Sequence, residues 1–234
     1  MRVSLLQRVF DAIAPRRCVI CGKRLAAEEE DICLECNYHL PRTGFLQSPY
    51  DNPLVQCFWG RIRHIEKGTA FIYHSYGSDA SYPIYSLKYE GNRDIGFTIG
   101  RMMGQEMVRA GFLDDIDVLL PVPLAESRLQ QRGYNQSEVI AKGIAEVAQR
   151  PVLKKVITRT SFHGSQTALD RWQRNENVAG AFHLADAAAV EGKHVLFIDD
   201  IITTGATMTA CASVLDDVPG IRISVAAVGF VSHE

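Results

Sequence analysis

The stretch Val195-Leu196-Phe197-Ile198-Asp199-Asp200-Ile201-Ile202-Thr203-Thr204-Gly205-Ala206-Thr207 decides the fold. Its first four residues are apolar, and a run of this kind predicts a buried strand of a parallel sheet. Two carboxylates follow where the strand should end. A threonine-rich loop then leads into a helix-permissive run over 208–215. Together these features indicate a site for a sugar phosphate.

The chemistry of this stretch divides between the loop and the acidic pair. Backbone N–H groups and threonine hydroxyls of the loop can hold a phosphate. Asp199 and Asp200 cannot, but they can accept hydrogen bonds from ribose hydroxyls or hold Mg²⁺. The simpler alternative is that the pair only caps a helix, although two acids and three threonines around one glycine exceed what a cap needs. A Walker-type loop and a Rossmann fingerprint are excluded here, because neither Gly-Lys-Ser/Thr nor Gly-x-Gly is present.

The same stretch resembles the motif that binds phosphoribosyl pyrophosphate (PRPP) in type I phosphoribosyltransferases. In that family an apolar strand runs into Asp-Asp and then into Thr-Thr-Gly-x-Thr. The resemblance implies that Asp199 and Asp200 contact the ribose hydroxyls. It also implies that the loop wraps the 5′-phosphate, through Thr203, Thr204, Gly205, Ala206 and Thr207.

The composition limits the classes of partner. Of 234 residues, 47% are hydrophobic, and 25 Lys and Arg nearly balance 27 Asp and Glu, so the whole chain is not a polycation. The charge is unevenly spread, however. Residues 128–174 carry three acidic side chains (Glu138, Glu146, Asp170) against nine basic ones, namely Arg128, Arg132, Lys142, Arg150, Lys154, Lys155, Arg159, Arg171 and Arg174. This net +6 predicts a region that meets anions.

The chain has no apolar run long enough to predict a membrane span, which takes about 18 residues. Gln7, Arg8 and Asp11 interrupt any apolar segment of a signal peptide. We therefore expect a cytoplasmic location, or one at the inner face of the cytoplasmic membrane through a partner. A short amphipathic helix is predicted from the spacing of Leu5, Leu6, Val9, Phe10 and Ile13.

Two Cys-x₂-Cys pairs near the N-terminus predict a structural zinc site, formed by Cys18, Cys21, Cys33 and Cys36. Four thiolates complete a tetrahedron, and a small ribbon has little else to hold it together. The alternatives are disulfides or unrelated thiols, and His39 is an alternative ligand. Because the ribbon is not strongly basic, we expect it to serve as a scaffold or partner surface.

A second anion site is expected beyond the apolar stretch 117–124, whose strand should end near Leu120 because proline cannot donate to a ladder. Val122 lies at that end, and Arg128 and Arg132 share one face of a helical turn. Arginine forks suit a diphosphate. The alternative is that both arginines are merely solvated. We expect Asn135 to cap the helix that follows.

The predicted order of strands and helices gives an α/β fold with a mainly parallel sheet flanked by helices. Ligands of such sheets bind at the carboxyl ends of the strands, so the two anion sites should converge on one crevice. We divide the chain into helix and zinc ribbon (1–40), linker (41–57) and phosphoribosyltransferase-like domain (58–234). Further expectations are a strand over 152–158, a cap at Asp79, close packing through Gly96, Gly100 and Gly104, and a polar lid over 159–182.

The whole order resembles the ComF family of competence-associated phosphoribosyltransferase-like proteins. The resemblance rests on the cysteine pairs, Leu87-Lys88-Tyr89 with Gly91, Pro121-Val122-Pro123-Leu124, Arg132-Gly133-Tyr134-Asn135-Gln136, Gln166, Leu169, Arg174, Asn177, Gly180-Ala181-Phe182 and the Asp199-Asp200 loop. It implies a role in natural transformation, in which incoming single-stranded DNA is handled in the cytoplasm. It also implies a helicase-like partner and a DNA-processing protein.

Three functions stay open at this point. The first is transfer of a phosphoribosyl group from PRPP with Mg²⁺, in which Arg128, Arg132, Asp199 and Asp200 would act in catalysis. The second is a non-catalytic adaptor of DNA uptake that uses the pocket as a sensor and binds single strands near Tyr134, Phe162 and Trp172, rings that could equally pack internally. The third is nucleotide salvage. Thr203 stands where many purine phosphoribosyltransferases carry an aspartate base, which weakens the case for purine chemistry.

Overall fold

The computed structural model describes residues 15–160 and 180–232. Its strands are β1 (Ile65–Tyr73), β2 (Val118–Pro121), β3 (Ile157–Arg159), β4 (Phe182–Leu184), β5 (His194–Ile202) and β6 (Arg222–Phe230). Its α-helices are α1 (Leu34–His39), α2 (Pro53–Gln56), α3 (Tyr82–Tyr89), α4 (Arg93–Arg109), α5 (Glu126–Arg132), α6 (Gln136–Ala148) and α7 (Ala206–Ala212). Three 3₁₀ turns cover Phe45–Gln47, Asp79–Ser81 and Ser213–Leu215.

The main sheet has four strands in the order β1-β6-β5-β2, and every neighbouring pair is parallel. All carboxyl ends therefore lie at one edge, with β5 in the interior of the sheet. The prediction of a mainly parallel sheet flanked by helices is confirmed. The strand expected over 152–158 is wrong in its bounds: Val152 forms only an isolated bridge with Leu119, and β3 pairs with β4 in a separate antiparallel sheet.

The strand β5 shows why its sequence is continuously apolar. Val195 and Phe197 enter a core with α2, α7 and the β3–β4 sheet, whereas Leu196 and Ile198 enter a second core with α3, α4 and α6. Each of these four side chains is fully buried. Because both faces of the strand are covered, the run needs no alternation of polar and apolar residues.

The cysteine-rich ribbon packs on the second core. Its Cys18, Leu25 and Ile32 side chains are buried there. On α4, the Thr98 hydroxyl donates to an Asp31 carboxylate oxygen at 2.5 Å, and an Arg101 guanidinium nitrogen lies 2.6 Å from a Glu30 oxygen.

Residues 41–57, expected to be a linker, carry buried side chains. Phe45, Leu54 and Val55 are at most 5% exposed, and they belong to the first core. Asn52 caps α2 and donates from its side-chain amide to the Gly68 carbonyl oxygen at 3.0 Å. This segment therefore packs against β1, while the division into 1–40, 41–57 and 58–234 stays a prediction.

The helices α4 and α6 approach each other through glycine. A Cβ at Gly100 would lie 2.2 Å from the Ile140 carbonyl oxygen, and a Cβ at Gly143 would lie 2.2 Å from the Phe97 carbonyl oxygen. The prediction of close packing at Gly100 is thus confirmed. So is the Asn135 cap, since its side chain accepts from the Ser137 N–H at 3.1 Å.

The predicted Asp79 cap is wrong. Asp79 begins a 3₁₀ turn, and α3 starts after Ser81 without a side-chain cap. Prolines stand near the starts of both α2 and α3, where a missing N–H costs no hydrogen bond. Within the described ranges, no helix combines the length and apolarity that crossing a bilayer requires.

Candidate functional site

A cavity of about 880 Å³ opens at the carboxyl edge of the main sheet. The predicted residues that line it are Val122, Arg128, Arg132, Asp199, Asp200, Thr203 and Thr207. They come from the end of β5, the loop after it, the start of α7, the segment that follows β2 and the helix α5. The structure therefore brings the two expected anion sites into one crevice.

Asp199 and Asp200 are consecutive residues near the carboxyl end of β5, which continues to Ile202, so the strand ends two residues later than the sequence predicts. The Ser137 hydroxyl donates to Asp199 Oδ1 at 3.1 Å, and the Asp200 N–H donates to the same oxygen at 2.9 Å. Burial and the neighbouring Asp200 charge raise the pKa of Asp199 to about 7, although the two hydrogen bonds and Lys88 act against the rise. At neutral pH, Asp199 is thus poised between a neutral acid and a carboxylate.

Lys88 supplies a positive charge beside this pair. Its Nζ lies 3.1 Å from Asp200 Oδ1, and the side chains are only 19% and 14% exposed. In the sequence, Lys88 is part of the motif Leu87-Lys88-Tyr89, which predicts no role for it at the site. Its contact with Asp200 joins residues 112 positions apart, which no local pattern reveals.

The two arginines lie on α5, one helical turn apart, as predicted. The Arg132 guanidinium lies 5.5 Å from the centre of the Tyr89 ring, over its face. Val122 extends the hydrogen bonding of β2, since its N–H donates to the Ile198 carbonyl oxygen at 3.0 Å. The Asn135 amide then holds the Val122 carbonyl oxygen at 2.9 Å. These bonds fix the turn that presents the arginines.

The loop after β5 uses its residues in two ways. Thr203 and Thr207 line the cavity. The Thr204 carbonyl oxygen instead accepts from Arg61 at 2.8 Å, while the Ala206 N–H donates to the Thr204 hydroxyl at 3.4 Å. Gly205 has φ +72°, and a Cβ there would lie 2.6 Å from the Phe58 ring. Thr204, Gly205 and Ala206 therefore shape the loop.

Arg159, at the end of β3, is a third arginine of the cavity. Burial and the nearby Arg128 charge lower its pKa. The sequence placed it only within the basic region 128–174. A basic residue at the end of a short strand is a local sign of such a site. The sequence does not predict, however, that β3 pairs with β4.

A group of aromatic residues also lines the cavity, and sequence reasoning missed it. The group consists of His74, Tyr76, Tyr82, Tyr85 and Tyr89. Tyr134, in contrast, is buried and donates its hydroxyl to the Leu87 carbonyl oxygen, so it packs internally. Phe162, Trp172 and most of the expected lid lie outside the described residues.

The four N-terminal cysteines lie together, with their sulfur atoms within 4.8 Å of one another. Cys21 Sγ and Cys33 Sγ are 3.8 Å apart, which is roughly the edge of a tetrahedron built on 2.3 Å zinc–sulfur bonds. Burial opposes ionisation of Cys18, but backbone N–H groups led by that of Cys33 outweigh it and lower its pKa to about 7. The cluster could hold a metal such as zinc.

A second cluster, Glu66, Asp115 and His194, also has ligand atoms within 4.8 Å of one another. Positive side chains already occupy its surroundings. Lys67 pairs with Asp115, and Arg222 lies 3.7 Å from Glu66 and 3.5 Å from Asp115. We interpret this cluster as a structural ion network, because two cations disfavour a third.

Comparison with known proteins gives relatives but no matching family model. The chain is 27% identical to DNA utilization protein YhgH of Escherichia coli O157:H7, over 85% of this chain and 83% of the relative. It is 24% identical to competence protein F of Haemophilus influenzae, over 85% and 90% of the two chains. Competence protein ComFC of Bacillus subtilis is 28% identical over 42% of this chain and 38% of the relative.

Solved structures similar to this chain include a PRPP amidotransferase and an adenine phosphoribosyltransferase. Glutamine PRPP amidotransferase from B. subtilis has a TM-score of 0.37 and 20% identity, over 56% of this chain and 25% of that chain. Adenine phosphoribosyltransferase from Saccharomyces cerevisiae has a TM-score of 0.36 and 14% identity, over 62% and 72%.

The relatives named DNA utilization protein YhgH, competence protein F and ComFC support the assignment of this chain to the ComF family.

Proposed function

We propose that the cavity binds PRPP. One observation carries this proposal: the acidic pair at the end of β5 and the arginine pair beyond β2 open into the same cavity. Arg128 and Arg132 would bind the diphosphate through paired N–H donors. Asp199 and Asp200 would accept from the ribose hydroxyls. The 5′-phosphate would lie against the loop Thr203, Thr204, Gly205, Ala206 and Thr207, and Val122 would lie beside the diphosphate.

The acidic pair also fits Mg²⁺ as PRPP would bring it. Mg²⁺ is usually held by one or two carboxylates together with substrate phosphates, and Asp199 and Asp200 offer two carboxylates at the cavity wall. When bound with PRPP, Mg²⁺ would neutralise diphosphate charge. Lys88 already balances one negative charge of the pair, which lessens the number of cations that the site must recruit.

The reaction that this arrangement supports is phosphoribosyl transfer. An acceptor atom would form a bond to the anomeric carbon of the ribose, while the bond from that carbon to the diphosphate breaks and the electron pair leaves with the diphosphate. Arg128 and Arg132 would stabilise the departing charge. Thr203 cannot serve as a base at neutral pH, so the acceptor must present a nucleophile that needs no proton removal by this residue.

A non-catalytic sensor is the second candidate. Thr203 favours it, because this residue lines the cavity and cannot act as the base that many purine phosphoribosyltransferases carry at this position. In that case PRPP binding would report nucleotide supply to the DNA-uptake apparatus without turnover. A general salvage enzyme is less favoured, because it needs a base for purine acceptors.

For the biological setting, we propose a role in natural transformation at the stage when incoming single-stranded DNA is handled in the cytoplasm. The names of the relatives, a DNA utilization protein and competence proteins, support this role. The resemblance to the ComF family adds a helicase-like partner and a DNA-processing protein. We also propose that Cys18, Cys21, Cys33 and Cys36 bind structural Zn²⁺, which their mutual distances support.

The test is a calorimetric titration of PRPP with Mg²⁺, with pyrophosphate release followed in parallel. We expect the double variant Asp199→Ala with Asp200→Ala to lose both binding and any release. Asp216→Ala with Asp217→Ala is a matched control, since this second adjacent acidic pair is not part of the cavity wall. Binding without release by the unaltered chain would favour the sensor. Equal PRPP affinity in all three proteins would refute the proposed site.

A further inference from the structure

We propose that Lys88 is a built-in cation of the acidic pair, which competes with Mg²⁺ for Asp200 and lets PRPP bind with little dependence on the metal. This inference rests on the proposed function, because it concerns the same cavity and the same ligand. As a consequence, Asp199 and Asp200 should bind free Mg²⁺ only weakly while Lys88 is present.

One oxygen of each carboxylate already meets a donor of the chain. Lys88 Nζ lies 3.1 Å from Asp200 Oδ1. Asp199 Oδ1 accepts from the Ser137 hydroxyl at 3.1 Å and from the Asp200 N–H at 2.9 Å. Mg²⁺ demands near-ideal octahedral geometry and gives up its own water reluctantly. A metal ion that used these oxygens would have to displace the donors, and the Lys88 ammonium would also repel it.

The backbone around Lys88 is held in place, which keeps the ammonium beside the pair. The Leu87 side chain is fully buried, and the Leu87 carbonyl oxygen accepts from the Tyr134 hydroxyl. A Cβ at Gly96 would lie 2.6 Å from the Leu87 side chain, so α4 packs closely here. Lys88 stands in the last turn of α3, where the helix dipole favours a cation. The Lys88 and Asp200 side chains are 19% and 14% exposed, and separating so poorly solvated an ion pair costs more than separating one in open solvent.

The charge of the cavity wall also disfavours a free divalent cation. The described lining has three acidic side chains, those of Asp79, Asp199 and Asp200. Against them stand four basic side chains, those of Lys88, Arg128, Arg132 and Arg159. A wall with this excess attracts a polyanion before any metal is bound. Without Lys88, the acidic and basic side chains would be equal in number.

Lys88 can hold Asp200 and also meet a ligand. The residue lines the cavity, and an ammonium carries three N–H donors. One donor can stay on Asp200 while another turns to an oxygen of PRPP. Bridging a carboxylate and a phosphorylated ligand is the role that Mg²⁺ usually plays in such sites. PRPP binding should therefore depend on Lys88 most strongly when Mg²⁺ is absent.

Calorimetric titration of PRPP, once with Mg²⁺ and once with EDTA, tests this role. For the unaltered chain we expect the two dissociation constants to differ by less than about threefold. Lys88→Met should weaken binding roughly tenfold or more in EDTA and much less with Mg²⁺, because the metal then replaces the lost charge. Lys88→Arg keeps the charge and should keep the small difference. Lys142→Met is the matched control, since Lys142 pairs with Glu138 on the half-exposed surface of α6.

A second measurement uses Mn²⁺ without PRPP. Mn²⁺ prefers the same oxygen ligands as Mg²⁺, and its binding can be followed by electron paramagnetic resonance. Lys88→Met should bind Mn²⁺ roughly tenfold tighter than the unaltered chain, because a repelling charge and a competing donor are both removed. Adding Asp200→Ala to this variant should abolish the gain. A purely structural role of Lys88 would not produce such a gain.

The outcomes separate this role from the PRPP site itself. If the unaltered chain binds PRPP with Mg²⁺ but loses more than about tenfold in EDTA, the role of Lys88 is refuted and the PRPP site stands. An equal loss of PRPP affinity by Lys88→Met under both conditions, or an unchanged Mn²⁺ affinity, would also refute it. If the unaltered chain binds PRPP under neither condition, the PRPP site fails, and the role of Lys88 fails with it.

Discussion

Lys88 at the end of α3 and Asp200 at the end of β5 form a largely buried ion pair, with Nζ 3.1 Å from Oδ1. The contact joins the aromatic wall of the cavity to its acidic pair. Two adjacent carboxylates in a poorly solvated place repel each other, and a lysine between them and the wall offsets that repulsion. Lys88 thus contributes to stability and, at the same time, favours the ionised form of Asp199.

Replacing Lys88 should therefore have two effects. We expect Lys88→Met to raise the pKa of Asp199 above about 7, because it removes a charge that favours the carboxylate. It should also lower the free energy of unfolding by on the order of 1–3 kcal/mol, since the Asp200 carboxylate is left without this partner. Urea unfolding measures the second effect. Lys142→Met is the control, because Lys142 pairs with Glu138 on an exposed helix surface; an equal loss in both variants would contradict the assigned role.

The raised pKa of Asp199 predicts a pH dependence of stability. The group titrates near 3.9 in the unfolded chain and at about 7 in the folded one, so the folded state binds more protons between these values. Stability should therefore fall as the pH rises from about 4 to about 7. Asp199→Asn keeps the hydrogen-bond acceptor and removes the charge. The free energy of unfolding of this variant should exceed that of the unaltered chain by on the order of 1–4 kcal/mol between pH 5 and pH 8.

Urea unfolding at several pH values measures that gain. Asp217→Asn, at a fully exposed carboxylate, should show little change over the same range. A stability difference for Asp199→Asn that stays constant from pH 5 to pH 8 would show that the Asp199 carboxyl is ionised throughout.

Local patterns predicted the elements that need only a few neighbouring residues. The strand β5, the acidic pair at its end and the arginines one turn apart on α5 all follow from periodicity and spacing. The position of His74 does not. It depends on β1 joining the sheet beside β6, and strand order is a property of the whole chain. The aromatic group that lines the cavity therefore could not be predicted from the sequence.

The segment 41–57 shows a different failure. Its prolines and glycine predict a linker, yet Asn52 followed by Pro53 is a helix start, and Leu54 and Val55 are the apolar residues that this helix buries. The helix spans only Pro53–Gln56, too short for a periodic pattern. Phe58, just beyond it, then packs against Gly205 in the loop after β5. The contact between Phe58 and Gly205 joins residues that are distant in the sequence, so local patterns do not reveal it.

The close packing around the glycines of α4 predicts that alanine substitutions will lower stability by different amounts at Gly100 and Gly96. Gly100→Ala would place a Cβ 2.2 Å from the Ile140 backbone oxygen, which cannot move without separating the helices. We expect a loss of about 1–3 kcal/mol in the free energy of unfolding, despite the better helix propensity of alanine. Gly96→Ala is the matched control: its closest contact is the flexible end of Leu87, so its loss should be smaller. The reverse order would contradict the packing argument.

The cysteine cluster predicts zinc-dependent order in the ribbon. The purified chain should contain about one zinc ion, and Cys21→Ser should lose it, because three thiolates bind the ion less well than four. Hydrogen exchange over residues 18–40 should then accelerate. Cys57→Ser is the control, since Cys57 lies outside the cluster. Metal analysis that finds no zinc in the unaltered chain, or full zinc in the Cys21 variant, would contradict the assignment.

The position of Arg159 predicts that its replacement will affect the binding of PRPP and of ribose 5-phosphate differently. Its guanidinium lies in the cavity near Arg128, and the repulsion between them is unfavourable while no anion is bound. A diphosphate would remove that repulsion, whereas ribose 5-phosphate, which lacks the diphosphate, would not. We therefore expect Arg159→Ala to weaken PRPP binding roughly tenfold or more and to leave ribose 5-phosphate binding unchanged. Arg109→Ala, at an exposed position on α4, should alter neither affinity. Equal weakening of both ligands by Arg159→Ala would place this arginine at the 5′-phosphate, and the diphosphate would then have to rely on Arg128 and Arg132 alone.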